Sequence, residues 1–289
     1  MGDAESYEVI RKEVGTCIYE TEGPIARLIM NRPEKANAQN SELAWDFDKI
    51  LHMADADYDI KVLIIKANGS GFSAGHDLSK GDDSYPEYLE SIERTGTRWK
   101  GQLDLFVWPV LYLWEFPKPT ISQVHGYAVG GGSYTALLPD VVIASDDAYF
   151  QMPLTFQGLP GGQTMIEPWI FMNYHRAARY LMTSQTLPAS EAAEMGLVNE
   201  VVPRDRLEST VEAIANDMAK VPLHTLMLAK AGIKRAWEQM GMRLAIQSSV
   251  DLCTLGQVGQ ENLQAGPPSG PGRREYPRER VNRVTGRSD

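Results

Sequence analysis

"HGYAVGGGSYTALLPD", residues 125 to 140, sets three consecutive glycines between a short apolar run and a helix-forming segment that begins near Tyr134. Upstream, Pro117 and Pro119 punctuate the start of a strand predicted over Thr120 to Val124, and downstream "DVVIASD" reads as another. Glycine lets a backbone approach a neighbouring loop or a ligand closely, because no Cβ stands in the way. A strand, a glycine-rich turn and a helix in this order predict an α/β core with an irregular site at the strand ends. The run matches neither a phosphate loop ending in Gly-Lys-Ser/Thr nor a G-x-G-x-x-G turn after an N-terminal strand, so nucleotide binding of those kinds is not expected.

Working outward, "TCIYETEGPIARLIMNRP" predicts a hairpin turning at Glu22-Gly23-Pro24. Leu43, Phe47, Ile50 and Leu51 recur at helical spacing, with Asn40 or Ser41 as the cap. "KVLIIKA" then reads as a strand buried on both faces, which completes a βαβ unit. Pro86 to Glu115, rich in Trp, Tyr, Leu and Arg, is predicted helical up to a break at Pro109. From Ser190 the pattern turns helical: Gly196 stops one helix, and a short strand follows. Leu207, Val211, Ile214 and Met218 then form one apolar stripe, and Leu226, Ile233, Trp237 and Met240 form a second.

The bulk numbers bound the function. The chain has 289 residues, 43% of them hydrophobic, and a formal net charge of -10, which offers no general footprint for nucleic acid or an acidic membrane. Two cysteines, Cys17 and Cys253, make neither a disulfide framework nor a metal-ligand spacing. "MGDAESYEVIRKEVG" at the N-terminus lacks an apolar targeting core, and no apolar run approaches the roughly 20 residues of a membrane span. The expected setting is cytoplasmic, with no membrane partner. The segment from Gly266, with six arginines against three acids, is expected to be a disordered basic tail.

Two glycine turns can supply the same chemistry. A backbone N–H aimed into a cleft is a fixed donor, and two that converge on one oxygen stabilise negative charge developing there. The candidates are the N–H of His76, after Gly75 in "FSAGHDL", and that of Gly131. At this point five segments resemble the crotonase, or enoyl-CoA hydratase/isomerase, superfamily. They are "MNRPEKANA" (30 to 38), "GFSAGHDL" (71 to 78), "KPTISQVHGYAVGGG" (118 to 132), "DVVIASDDAYF" (140 to 150) and "MTSQTLPASEAAEMGLVNEVVP" (182 to 203), in the family's order.

The resemblance implies an α/β fold with a ββα-superhelix core over 1–200, a C-terminal helical trimerisation region over 201–264 and the tail over 265–289. It implies an acyl-CoA thioester as substrate, with coenzyme A entering as part of that substrate and no separate cofactor or metal, and a homotrimer or hexamer. His76 and Gly131 become the oxyanion donors, with the His76 imidazole a bystander. Lys35, Ala36, Ser73, Ala74 and Gly75 become the loops that hold coenzyme A. Asp77 is given a structural role in its loop.

The pattern breaks at the two glutamates that hydratases of this family use. Ungapped counting puts Tyr134 at the first position and Leu154 at the second. Water addition needs a base for the water and an acid for the α-carbon. Leu154 supplies neither, and a tyrosine, with a reference pKa near 10, is a poor base but a usable donor. Three readings follow: a divergent enzyme that keeps the oxyanion hole and uses other acid–base groups, a true hydratase with an unfamiliar pair, or a non-catalytic acyl-CoA binder. Asp82, Asp83, Glu87 and Glu93 are candidate acids or bases, and Gln157 a water-orienting group. Trp99, Phe106, Trp108 and Trp114, with Met152, Phe156 and Trp169, are candidates to line a chamber for a ring-bearing or branched acyl group.

Overall fold

The computed structural model describes residues 7–77, 85–155 and 174–263. Three antiparallel strands open it: β1 (Val9–Val14), β2 (Cys17–Glu22) and β3 (Ile25–Met30). The turn between β2 and β3 falls at Gly23-Pro24, where Gly23 takes a φ of 53°. Helix α1 (Ser41–Ala56) starts where the Asn40 side chain accepts the Leu43 N–H at 3.0 Å, which satisfies one donor that a helix start otherwise leaves open. Strand β4 (Val62–Ala67) returns parallel to β3.

Helices α2 (Pro86–Thr95) and α3 (Arg98–Gln102), a wide π-type turn over Leu103–Val107 and α4 (Trp108–Glu115) fill the next stretch. Pro109 lies in the first turn of α4 and does not break the helical run. Proline lacks the N–H that a first helical turn has no use for, and the wide turn before it absorbs its ring. Then come β5 (Thr120–Val124), β6 (Tyr127–Val129), α5 (Gly131–Leu137), β7 (Val141–Ser145) and β8 (Tyr149–Gln151). The described chain resumes with α6 (Tyr174–Thr183), β9 (Leu187–Pro188), α7 (Ala189–Glu194) and β10 (Glu200–Val202). It ends with α8 (Leu207–Ala219), α9 (Leu223–Gln239) and α10 (Met242–Leu263).

The main sheet has seven strands in the order β1-β2-β3-β4-β5-β7-β10, parallel from β3 onward, and β6, β8 and β9 form a smaller sheet. Period-two alternation along β4 sends Leu63 and Ile65 to the face covered by α1, and Val62 and Ile64 to the face covered by α8. Each such side chain contributes about 1.5–3 kcal/mol when fully buried. Arg27 of β3 fastens α8 to the sheet: its guanidinium donates to both carboxylate oxygens of Glu212 at 2.7 and 2.8 Å, and to Glu22 at 2.9 Å.

The two apolar stripes read from the C-terminal half behave differently. On α8, Leu207 and Val211 are buried, with Ile214 and Met218 packed beside them. On α9, Ile233 is exposed, and Trp237 only partly covers the core. Cys17 and Cys253 are free and buried, and loss of solvent pushes their thiols up to about 12 and 11, so neither is a reactive thiolate. No helix among the described residues is long and apolar enough to cross a membrane.

Candidate active site

The site forms where the chain after β3, the chain after β4 and the glycine run meet. A tight turn at Pro33–Lys35 is followed by Ala36 and Asn37, both left-handed, at φ 53° and 50°. Asn37 makes that conformation useful, because its amide donates to the carbonyls of Asn68 and Gly71 at 2.8 and 3.2 Å. Residues 36–39 then run alongside 73–77. Ala74 N–H donates to the Ala36 carbonyl at 3.0 Å, Gln39 N–H to the Gly75 carbonyl at 2.7 Å and Asp77 N–H to the Gln39 carbonyl at 2.8 Å. Arg32 closes the pair of loops with an ion pair to Asp77 at 3.3 Å, the structural role expected of that aspartate.

This places Lys35 and Ala36 beside Ser73, Ala74 and Gly75. The N–H groups of all five donate within the chain. What remains to a ligand is the exposed Lys35 side chain and carbonyl acceptors such as that of Ala74, which suit an exocyclic amine better than an anion.

Gly75, at φ 85°, lies so close to the glycine run that a Cβ there would stand 2.4 Å from the Val129 carbonyl oxygen and 3.0 Å from the Gly131 nitrogen. A Cβ on Gly131 would meet the Gln39 Oε1 at 2.1 Å and the His76 ring at 3.0 Å. The two turns are thus in van der Waals contact. Among the described residues, neither the His76 N–H nor the Gly131 N–H finds an acceptor.

Tyr134 stands in the first turn of α5, with its hydroxyl 2.7 Å from the His76 Nε2. The His76 imidazole, expected to be a bystander, is hydrogen-bonded within the site. It sits 4.7 Å, centroid to centroid, from the Phe106 ring and edge-on to Tyr85. Loss of water among these rings lowers its pKa from 6.5 to about 4, so it is neutral at physiological pH. A group that prefers its neutral form when folded contributes stability that is fully present above pH 6.5 and is lost as the pH falls towards 4. Urea midpoints are accordingly expected to drop across that window, and less steeply in His76→Gln; parallel curves would contradict the assignment.

His76, Tyr134, Gln39, Thr135, Tyr85 and Phe106 share one cavity, whose remaining walls, Phe47 among them, are apolar. Gln39 Nε2 donates to Thr135 Oγ1 at 3.1 Å, which in turn donates to the Gly131 carbonyl at 2.9 Å, and Tyr85 OH donates to the Gln39 carbonyl. The sequence reading missed Gln39, Thr135 and Tyr85. Gln39 follows the "MNRPEKANA" segment directly, and that adjacency was the available signal.

Leu154 packs partly buried against the main core. Glu87 lies in a separate surface groove with Trp45, Asp48 and Trp108, and Glu93 is exposed, so neither joins this cavity. Asp82, Asp83, Gln157, Phe156 and Trp169 lie outside the described residues, as does the basic tail. Of the other candidate aromatics only Phe106 lines the cavity. Trp99 donates to Asp251 on α10, Trp108 faces the outer groove, Trp114 donates to Glu238 and Met152 is core. Among the described residues no three His, Cys, Asp or Glu side chains converge as metal ligands.

The family model described as enoyl-CoA hydratase/isomerase matches residues 20–265. A hydroxycinnamoyl-CoA hydratase-lyase of Pseudomonas fluorescens is 36% identical over 230 residues, covering 76% of this chain and 80% of its own. A short-chain-enoyl-CoA hydratase of Clostridium acetobutylicum is 31% identical, covering 78% and 84%. The crystal structure of an enoyl-CoA hydratase/isomerase from Xanthobacter autotrophicus Py2 superposes with a TM-score of 0.74 at 29% identity, covering 85% of this chain and 88% of that one. With its motifs in order, its sheet and helices matched and its family model spanning most of its length, the chain belongs to the enoyl-CoA hydratase/isomerase family.

Proposed function

We propose that this chain is a crotonase-type enzyme that binds an acyl-CoA thioester and holds its carbonyl oxygen between the N–H groups of His76 and Gly131. As an enolate forms, charge gathers on that oxygen, and two fixed donors stabilise it without the reorganisation that water would need. One observation carries this reading. Gly75 and Gly131 pack backbone to backbone, which sets two N–H groups, without an acceptor among the described residues, next to the His76, Tyr134 and Thr135 that line one apolar cavity. Lys35 and the Ala74 carbonyl supply contacts for coenzyme A.

The reaction is not two-glutamate hydration. Tyr134 occupies one glutamate position and is bonded to His76, and Leu154 at the other is apolar. With crotonyl-CoA in H₂¹⁸O, ¹⁸O incorporation into the product is expected to be negligible, while ring-bearing enoyl- or β-hydroxyacyl-CoA esters react. Phe106 and Tyr85 in the cavity favour the ring, and the relative at 36% identity is named for a ring-bearing acyl group. Rapid hydration of crotonyl-CoA would overturn the non-hydratase reading, and binding of every ester with no product would point to a carrier.

The family's trimer or hexamer extends to this chain through α9 and α10. These helices turn Leu228, Ile233, Leu244 and Leu255 outward at 64–71% exposure. Sedimentation is expected to give three or six times the 32.1 kDa chain mass. A monomer at micromolar concentration would contradict it.

A further inference from the structure

Among the described residues that line the cavity there is no carboxylate and no lysine; the titratable ones are His76, Tyr85 and Tyr134. The Tyr85 hydroxyl is committed to the Gln39 carbonyl. That leaves Tyr134 and His76, joined at 2.7 Å immediately beside the Gly131 turn. We propose that these two side chains are the proton carrier of the site, with Tyr134 as the catalytic residue that meets the substrate and His76 as the group that takes up Tyr134's proton. This rests on the enolate reading above and names its base.

The step balances within the pair. With the imidazole proton on Nδ1, Nε2 accepts from the Tyr134 hydroxyl. The Cα–H bond of the acyl group breaks, its electron pair moves into the enolate and its proton goes to the Tyr134 oxygen. The Tyr134 proton passes to His76 Nε2, giving an imidazolium. Reversal returns one proton, to the same carbon or to its vinylogous position. A single carrier fits reactions that move one proton away and back, such as double-bond migration, or retro-aldol cleavage started at a β-hydroxyl. Hydration needs two separate groups at once.

His76 thereby has two functions that mutation can separate, since its backbone N–H survives any side-chain change. Among the described residues, the charged and titratable groups around its ring are Tyr85 and Tyr134, which face it, and Asp77, next in the chain, which pairs with Arg32. A pH limb in the activity that His76→Gln removes reports the imidazole.

The test uses the full chain with butyryl-CoA in D₂O. This saturated ester cannot be hydrated, isomerised or cleaved, so deuterium at Cα, read by mass spectrometry, measures enolate formation alone. Wild type is expected to exchange at a rate constant from pH 8 to pH 5 and falling through about pH 4. Tyr134→Phe and His76→Gln should each slow exchange by about 10²-fold. Butyryl-CoA affinity should stay within a few fold, and the acid limb should be missing in His76→Gln. Exchange at the wild-type rate in both variants, with Gly131→Val silent, would overturn the pair and leave the oxyanion hole standing. No exchange in the wild-type protein would overturn the enolate reading and the pair with it.

Discussion

Gly131→Val is expected to lower turnover of any accepted acyl-CoA by about 10²–10³, the usual cost of losing one oxyanion donor. The new Cβ would start 2.1 Å from the Gln39 Oε1, which can turn aside, and 3.0 Å from the His76 ring, and the two methyls beyond it widen the collision; relief by a shift of the turn takes the Gly131 N–H away from the thioester oxygen. Because the same collision presses on the Tyr134–His76 bond, the loss should fall on kcat as well as on kcat/KM. Steady-state kinetics beside a thermal melt would check it. Near-normal turnover in a folded variant would remove Gly131 from the proposed chemistry.

Arg27→Met is expected to cost about 3 kcal/mol of stability with little effect on chemistry, because it leaves Glu212 and Glu22 close together beneath α8 with no cation between them. The figure is at the low end for a broken buried ion pair, since both carboxylates retain some contact with solvent. A urea titration should show a lower midpoint at an unchanged slope. Adding Glu212→Gln should recover part of the loss. An unchanged midpoint in the single variant would mean that hydrophobic packing alone holds α8 in place.

How much of this was legible beforehand depended on how local each signal was. The Gly23-Pro24 turn, the Asn40 cap, the buried β4 run and the Gly196 stop each depend on a few neighbouring residues, and each was readable. Strand β1 escaped because five of its six residues are exposed, and it carries no apolar alternation to read. Pro109 misled because its effect on a helix depends on position, and the wide turn before it leaves no local mark.

The meeting of the Gly75–His76 turn with the glycine run was readable from the family's motifs. The Tyr134–His76 contact was not, because it joins residues 58 positions apart through side chains whose directions no periodicity encodes. Gln39 and Thr135, 96 positions apart, were hidden for the same reason. The absence of carboxylates at Tyr134 and Leu154 was visible in the letters themselves, and it drew attention to Tyr134, which lines the cavity.

The placement of α8 also bears on how the chain is made. Its residues, 207 to 219, cover the side of the sheet that carries Ile25, Val62, Ile64, Ile121 and Ile143. On the ribosome, β3, β4, β5 and β7 emerge well before that cover is synthesised, so for most of translation one side of the nascent sheet is bare aliphatic surface. Parallel strands pair across long sequence separations and close slowly, which prolongs the exposure. Premature termination anywhere between Ser145 and Leu207 would thus yield a fragment with at least six of the seven main-sheet strands and a sticky back, a natural client for a holdase chaperone.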